Sequence, residues 1–195
     1  GGSNDPLRGT KGTTFEGGQR LPLIARWPGR LPAGTTCKAL ATSMDLLPTF
    51  AHLAGTQAPT DRIIDGADIT GHLFDPDAAT DAHEAFYYYV RGELQAVRSG
   101  PWKLFVSRNG EPLTELYNLA EDIGETSDRA ADEPEVVARL QALADQARDD
   151  LGDTVTGAEG KNCRPCGWVE EAKPLTAYDE THPYIEAMYD LNEAG

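Results

Sequence analysis

One lysine stands where its surroundings could do chemistry. Arg8-Gly9-Thr10-Lys11-Gly12-Thr13-Thr14-Phe15-Glu16-Gly17-Gly18-Gln19-Arg20 sets four glycines around Lys11, with threonines on both sides and the Glu16/Arg20 pair behind. Glycine lets backbone take positive φ and come close to a ligand. Successive backbone N–H groups in such a turn form a concavity that suits an anion. A lysine beside it adds a compact charge with three donors. The pattern implies an anion-contacting loop. Two plainer readings stand beside it: the glycines serve a tight turn only, or Lys11 pairs with Glu16 or another nearby carboxylate. Glu16 and Arg20 read as scaffold, opposite charges that hold the loop together across Gly17-Gly18.

The string Pro6-Leu7-Arg8-Gly9-Thr10-Lys11-Gly12-Thr13-Thr14-Phe15-Glu16-Gly17-Gly18-Gln19-Arg20-Leu21-Pro22, followed by Ala25-Arg26-Trp27-Pro28-Gly29, resembles the lysine segment of the sulfatases, the arylsulfatase type of the alkaline-phosphatase superfamily. Weaker resemblance continues at Met44-Asp45-Leu46-Leu47-Pro48-Thr49, Ile64-Asp65-Gly66, Ala96-Val97-Arg98-Ser99-Gly100-Pro101-Trp102-Lys103-Leu104 and Leu116-Tyr117-Asn118-Leu119. It covers the later part of a sulfatase only. The resemblance implies that Lys11 contacts the sulfate group of an aryl or carbohydrate sulfate ester, as both a catalytic and a substrate-binding residue. It implies calcium and a formylglycine nucleophile, the latter made from a Cys-x-Pro-Ser-Arg signature. Both belong to a preceding N-terminal segment that this chain lacks, so the chain alone is expected to be inactive and that segment to be its partner. A periplasmic or secreted location follows from the family alone. Cys163-Arg164-Pro165-Cys166-Gly167 has Cys-x-Pro but puts Cys166 and Gly167 where Ser and Arg are required, at the wrong end of the chain. It is not the nucleophile. A phosphoester or phosphonate hydrolase of the same superfamily, and a non-catalytic sulfate- or carbohydrate-binding piece, remain as alternatives.

Composition narrows the field. Lys+Arg of 17 against Asp+Glu of 32 gives a net charge of −15 over 195 residues. Nucleic-acid binding needs clustered Lys/Arg, so none is expected. An acidic surface also repels sulfated polymers at long range, which leaves any sulfate contact to a local group such as Lys11. No apolar run approaches the ~18 residues of a membrane span. Cys163 and Cys166 form a C-x-x-C pair without a second pair for zinc, so a local disulfide or two thiols is the expectation. No metal ligand set stands out: His52 reads as a packed or capping residue of a helix, and His72 and His83 have no partner at ligand spacing. The zinc-protease, nucleophile-elbow and phosphate-loop motifs are absent.

The elements that must carry Lys11 follow from pattern. The fold class is α/β, turning α+β in its C-terminal part: the last elements of an alkaline-phosphatase-like domain, then a small antiparallel sheet of about four strands against a helix. Residues 1–81 are assigned to the end of the catalytic domain, 82–175 to a C-terminal subdomain and 176–195 to an acidic tail. Residues 1–20 read as loop. Leu23, Ile24, Ala25 and Trp27 form a short apolar run that reads as a buried strand, with Arg26 an embedded charge in need of a partner. Leu46, Phe50 and Leu53 share one face of a helix that Gly55 closes. A short helix is expected at 69–74. Strands are expected at 85–90, 94–98, 102–106 and 115–119, with a hairpin turn at Asn109-Gly110. Tyr87, Tyr88 and Tyr89 read as sheet packing. Asp132 and Glu135 form a capping box for a helix whose stripe is Val136, Leu140, Leu143 and Ala147, extended by Leu151. Burying its three large side chains contributes on the order of 5 kcal/mol before entropy. Residues 161–175 read as extended and 183–192 as a last short helix, with Tyr184, Met188 and Leu191 on one side.

Overall fold

A computed structural model describes residues 2–163 and Glu170. Gly1–Cys163 gather into one compact unit, and Arg164–Gly195 are assigned to a second of which only Glu170 is described. The expected 183–192 helix and Cys166 of the C-x-x-C pair therefore lie outside the described residues.

Four consecutive strands make the centre: β1 (Phe86–Val90), β2 (Glu93–Ser99), β3 (Trp102–Arg108) and β4 (Glu111–Asn118), an antiparallel meander in the order β1-β2-β3-β4. Aromatic and β-branched residues favour the pleated surface, and two-residue turns fix the register. Arg91 and Gly92 turn β1 into β2 with φ of 52° and 84°; Asn109 and Gly110 turn β3 into β4 with φ of 56° and 82°. Positive φ at both positions is what a hairpin of this twist requires.

Alternation along β3 divides the molecule into layers. Leu104 and Val106 face one side, with Leu94, Val97 and Leu116, and meet Leu140, Leu143, Ala144 and Ala147 of the helix α4 (Pro134–Leu151). Phe105 faces the other side with Tyr88, Ala96 and Tyr117, and there it meets Phe15 of the lysine loop. The Phe15 and Phe105 ring centroids are 5.1 Å apart. Helix, sheet and lysine loop are thus stacked in that order.

Other expectations need correction. Residues 16–19 are not loop but a single helical turn, α1 (Glu16–Gln19). The 21–27 run is not a buried strand. Leu21 and Ile24 are 86% and 89% exposed, and residues 21–26 make no backbone hydrogen bond to any described residue. A strand needs neighbours to take its N–H and C=O groups, and among the described residues no strand pairs with it. Arg26 is exposed and needs no partner. The helix α2 (Leu46–Leu53) forms, preceded by a 3-10 turn at Ser43–Asp45 and closed at Gly55 with φ of 75°. Its apolar stripe is not packed, however: Phe50 is exposed and the buried residue is Thr49. The Thr49 hydroxyl donates to the Asp45 carbonyl at 2.6 Å and accepts from the Ile69 N–H at 3.0 Å, pinning α2 to the segment before α3 (Thr70–Phe74). At α4 the expected capping box is absent. Pro134 takes the first helical position, which makes Glu133 the N-cap and moves Asp132 and Glu135 out of box register. Leu151, where the chain turns into Gly152, is exposed rather than packed.

Candidate functional site

The turn that carries Lys11 is tight and local. The Thr13 N–H donates to the Thr10 carbonyl at 3.1 Å, and the Thr13 hydroxyl donates to the same oxygen at 2.8 Å. Lys11 and Gly12 are the two central residues, with Gly12 at φ of 90°. That position needs glycine when a turn takes positive φ at its third residue. Lys11 is exposed and makes no hydrogen bond or ion pair with any described residue. The plainer reading of Lys11 as a partner of Glu16 therefore does not hold.

Packing holds this turn against α1. The Gly17 N–H donates to the Arg8 carbonyl at 2.7 Å. A Cβ on Gly17 would lie 2.6 Å from the Arg8 and Gly9 carbonyl oxygens, and one on Gly18 only 2.2 Å from the Thr13 oxygen. The Gln19 amide donates to that same Thr13 oxygen at 2.8 Å. Three of the four glycines thus serve close backbone approach within the loop, and Gly12 serves the turn itself.

Beneath the loop lies a buried ionic cluster. Lys103, on β3, is fully buried, as are Glu16 and Glu125. The Lys103 ammonium donates to the Thr14 carbonyl at 2.6 Å and to Glu16 Oε1 at 3.0 Å, and meets Glu125 Oε1 at 2.8 Å. Glu125 Oε2 accepts the Glu16 backbone N–H at 2.8 Å. On its other oxygen Glu16 accepts from Arg20 Nε at 2.6 Å, the expected scaffold pair, and Arg98 Nη1 stands at 3.7 Å. The Tyr88 hydroxyl donates to Glu16 Oε1 at 3.2 Å, which gives that tyrosine a polar role besides packing. Arg8 lies over the Phe15 ring at 4.1 Å and donates to the Glu125 carbonyl at 2.8 Å. Burial pushes the Glu16 carboxyl up, but Lys103 and Arg20 outweigh it and hold it below the usual range. For Glu125 burial wins, and the neighbouring Glu16 charge adds to it, so that carboxyl is raised despite Lys103.

Lys103 and Glu125 were not singled out from sequence. One signal was available: a charged residue inside the apolar run Trp102-Lys103-Leu104-Phe105-Val106 must find partners if both faces of the strand are covered. Nothing local marked Glu125, which adopts φ of 51° in the turn after β4.

An open cleft of about 720 Å³ ends beside the turn, lined among others by Ser3, Asn4, Arg8, Thr10 and Thr126. No group of three or more His, Cys, Asp or Glu among the described residues could hold a metal ion. Of the two carboxylates nearest Lys11 in sequence, Glu16 is taken up by Lys103 and Arg20, and Asp5 accepts from the Ser3 hydroxyl at 2.8 Å. His83 and Asp45 pair at 2.7 Å, and His52 pairs with Asp68. The residues present do not fit a calcium site, and no helix among the described residues is long and apolar enough to cross a membrane.

Residues 10–150 match the family described as N-sulphoglucosamine sulphohydrolase, C-terminal. The steryl-sulfatase of Mus musculus is 44% identical over 109 residues, 54% of this chain and 17% of that protein. Arylsulfatase G of Canis lupus familiaris is 33% identical over 178 residues, 78% of this chain and 31% of its own. Among solved structures, Ps i-CgsB in complex with k-i-k-neocarrahexaose superposes with a TM-score of 0.63 at 28% identity, covering 74% of this chain and 32% of that one. The chain therefore spans between a sixth and a third of the length of these relatives.

Proposed function

The chain belongs to the sulfatase family, of which it carries the C-terminal portion, and from that premise we propose that Lys11 is its contact to the sulfate group of a sulfate ester. The observation that carries the proposal is a tight, braced turn carrying an exposed lysine whose ammonium no described residue engages. The Glu16 carboxylate already has Arg20 and Lys103 as partners and leaves that ammonium available. Charge builds on the sulfuryl and leaving oxygens as the ester S–O bond breaks, and a fixed cation there stabilises the transition state. Calcium and formylglycine, which the family implies, would supply electrophilic assistance and the attacking oxygen, both from a segment preceding this one. Residues 1–81 then close the catalytic domain, and residues 82–175 are the C-terminal subdomain, whose sheet backs the lysine loop. The exposed Leu21, Leu23, Ile24 and Trp27 have the apolar content of a strand covered on both faces. In this reading the preceding segment covers them.

The test is Lys11→Ala in the full-length protein, assayed on a chromogenic aryl or sugar sulfate. Turnover should fall about 100- to 1,000-fold, the usual loss for one transition-state donor. The melting temperature should not move, because the exposed side chain makes no hydrogen bond or ion pair with any described residue. Full activity in the variant would remove Lys11 from the site.

A further inference from the structure

We infer that Lys103, with Glu125, is a positioning residue for Lys11, gripping the turn from inside the sheet. The inference rests on the proposed role of Lys11 and asks what fixes in space the backbone that carries it. The buried cluster reaches the turn through covalent and packed links only. Lys103 holds the Thr14 carbonyl and the Glu16 carboxylate, while Glu125 holds the Glu16 backbone N–H. Residues 14–16 are therefore fixed by directional bonds from two distant parts of the chain. Glu16 opens α1, and α1 is fused to the turn because Gly17 and Gly18 leave no space between its backbone and the carbonyls of Arg8, Gly9, Thr10 and Thr13. A displacement at Lys103 must therefore move the turn. Aromatic packing alone, as between Phe15 and Phe105, lets a loop slide. An ammonium bonded to two acceptors and ion-paired to a third oxygen does not.

Stability alone gives no reason for such a cluster. A buried ion network is often matched or bettered by apolar residues of the same volume. Several of the chain's other pairs, such as Arg62–Asp61 and Lys161–Asp149, lie at the surface. The fully buried one lies under the turn, where orientation is what an anion contact needs.

The experiment is a double-mutant cycle in the full-length protein, assayed as kcat and KM on a chromogenic sulfate ester. Four proteins are compared: wild type, Lys11→Ala, the pair Lys103→Met/Glu125→Gln, and the triple variant. The pair removes one cation and one anion and leaves Glu16 with Arg20 and Arg98. Lys11→Ala should cost about 100- to 1,000-fold in kcat in the wild-type background and less than about tenfold in the pair background, since coupled residues are non-additive. The same factor in both backgrounds would show Lys103 to be structural only and overturn the inference. No effect of Lys11→Ala in the wild-type background would overturn the sulfate-contact reading itself, and this inference with it. Should the pair variant not fold, Glu125→Gly replaces it. Glycine accepts the positive φ at that position and removes the acceptor of the Glu16 N–H while Lys103 and Glu16 stay paired. The Thr13, Glu16 and Gly17 amides should then exchange at least about tenfold faster than in wild type, with β2 and β3 unchanged. Equal protection there would overturn the inference as well.

Discussion

Glu16 and Glu125 share one buried lysine, and they respond to acid in opposite senses. Glu16 is held below the ordinary glutamate value of 4.5, burial being outweighed by Lys103 and Arg20. The stability it contributes is complete above that value and is lost as pH falls through its folded pKa. Glu125 is raised by burial and by Glu16, so its contribution is complete below 4.5 and is lost as pH rises through its folded pKa. We predict that Glu16→Gln lowers the urea midpoint at neutral pH and flattens its decline as pH falls below 4.5. Glu125→Gln should leave that decline as it is and remove the fall in midpoint that wild type shows as pH rises above 4.5. Parallel midpoint-against-pH curves for wild type and both variants would contradict the assignment. Lys11, by contrast, was readable as a residue from its glycine-flanked setting and the long matching string. Lys103 and Glu125 were not, because their bonds to the loop join residues 87 to 109 positions apart. No window of sequence reports that proximity.

At the scale of elements, the sheet and α4 carry the stability that the loop borrows. Leu140 is fully buried against Leu104 and Leu116. Leu140→Ala should cost about 2–5 kcal/mol in chemical denaturation, the range for a core leucine. Leu140→Asp places an unpaired charge in the same contact and should abolish cooperative unfolding of residues 82–163, seen as loss of near-ultraviolet circular dichroism. A variant that melts like wild type would show that α4 is not the sheet's cover. These elements were legible because each carries its own period: alternation in the strands, a three- and four-residue stripe in α4, Asn109-Gly110 at a turn. The failures share a cause. The 21–27 run and the Phe50 face have the composition of buried elements, but burial depends on a partner surface that no described residue supplies. The α4 cap failed by one position because Pro134 at the first helical position outranked the Asp132/Glu135 pairing.

For the whole molecule, the exposed apolar side chains fall mainly between residues 21 and 74, among them Leu21, Ile24, Phe50, Ile63 and Phe74, whereas the sheet unit buries its own. Large exposed apolar side chains in such number favour association. The purified 195-residue chain should therefore self-associate, and Leu21→Ser/Ile24→Ser should shift it toward monomer in analytical ultracentrifugation. It should also release no phenol from a chromogenic aryl sulfate, with or without calcium, since it holds one proposed sulfate contact and no described metal site. Measurable calcium-dependent release would overturn that expectation. The span of the Lys103 clamp has a further result, on the ribosome. Thr14 and Glu16 emerge first, and their anchors follow 89 and 109 residues later. At roughly 5–20 residues per second the interval lasts about 5 to 20 seconds. Through that interval the nascent protein carries its lysine loop without a footing, and the loop can settle only after translation has passed the last anchor.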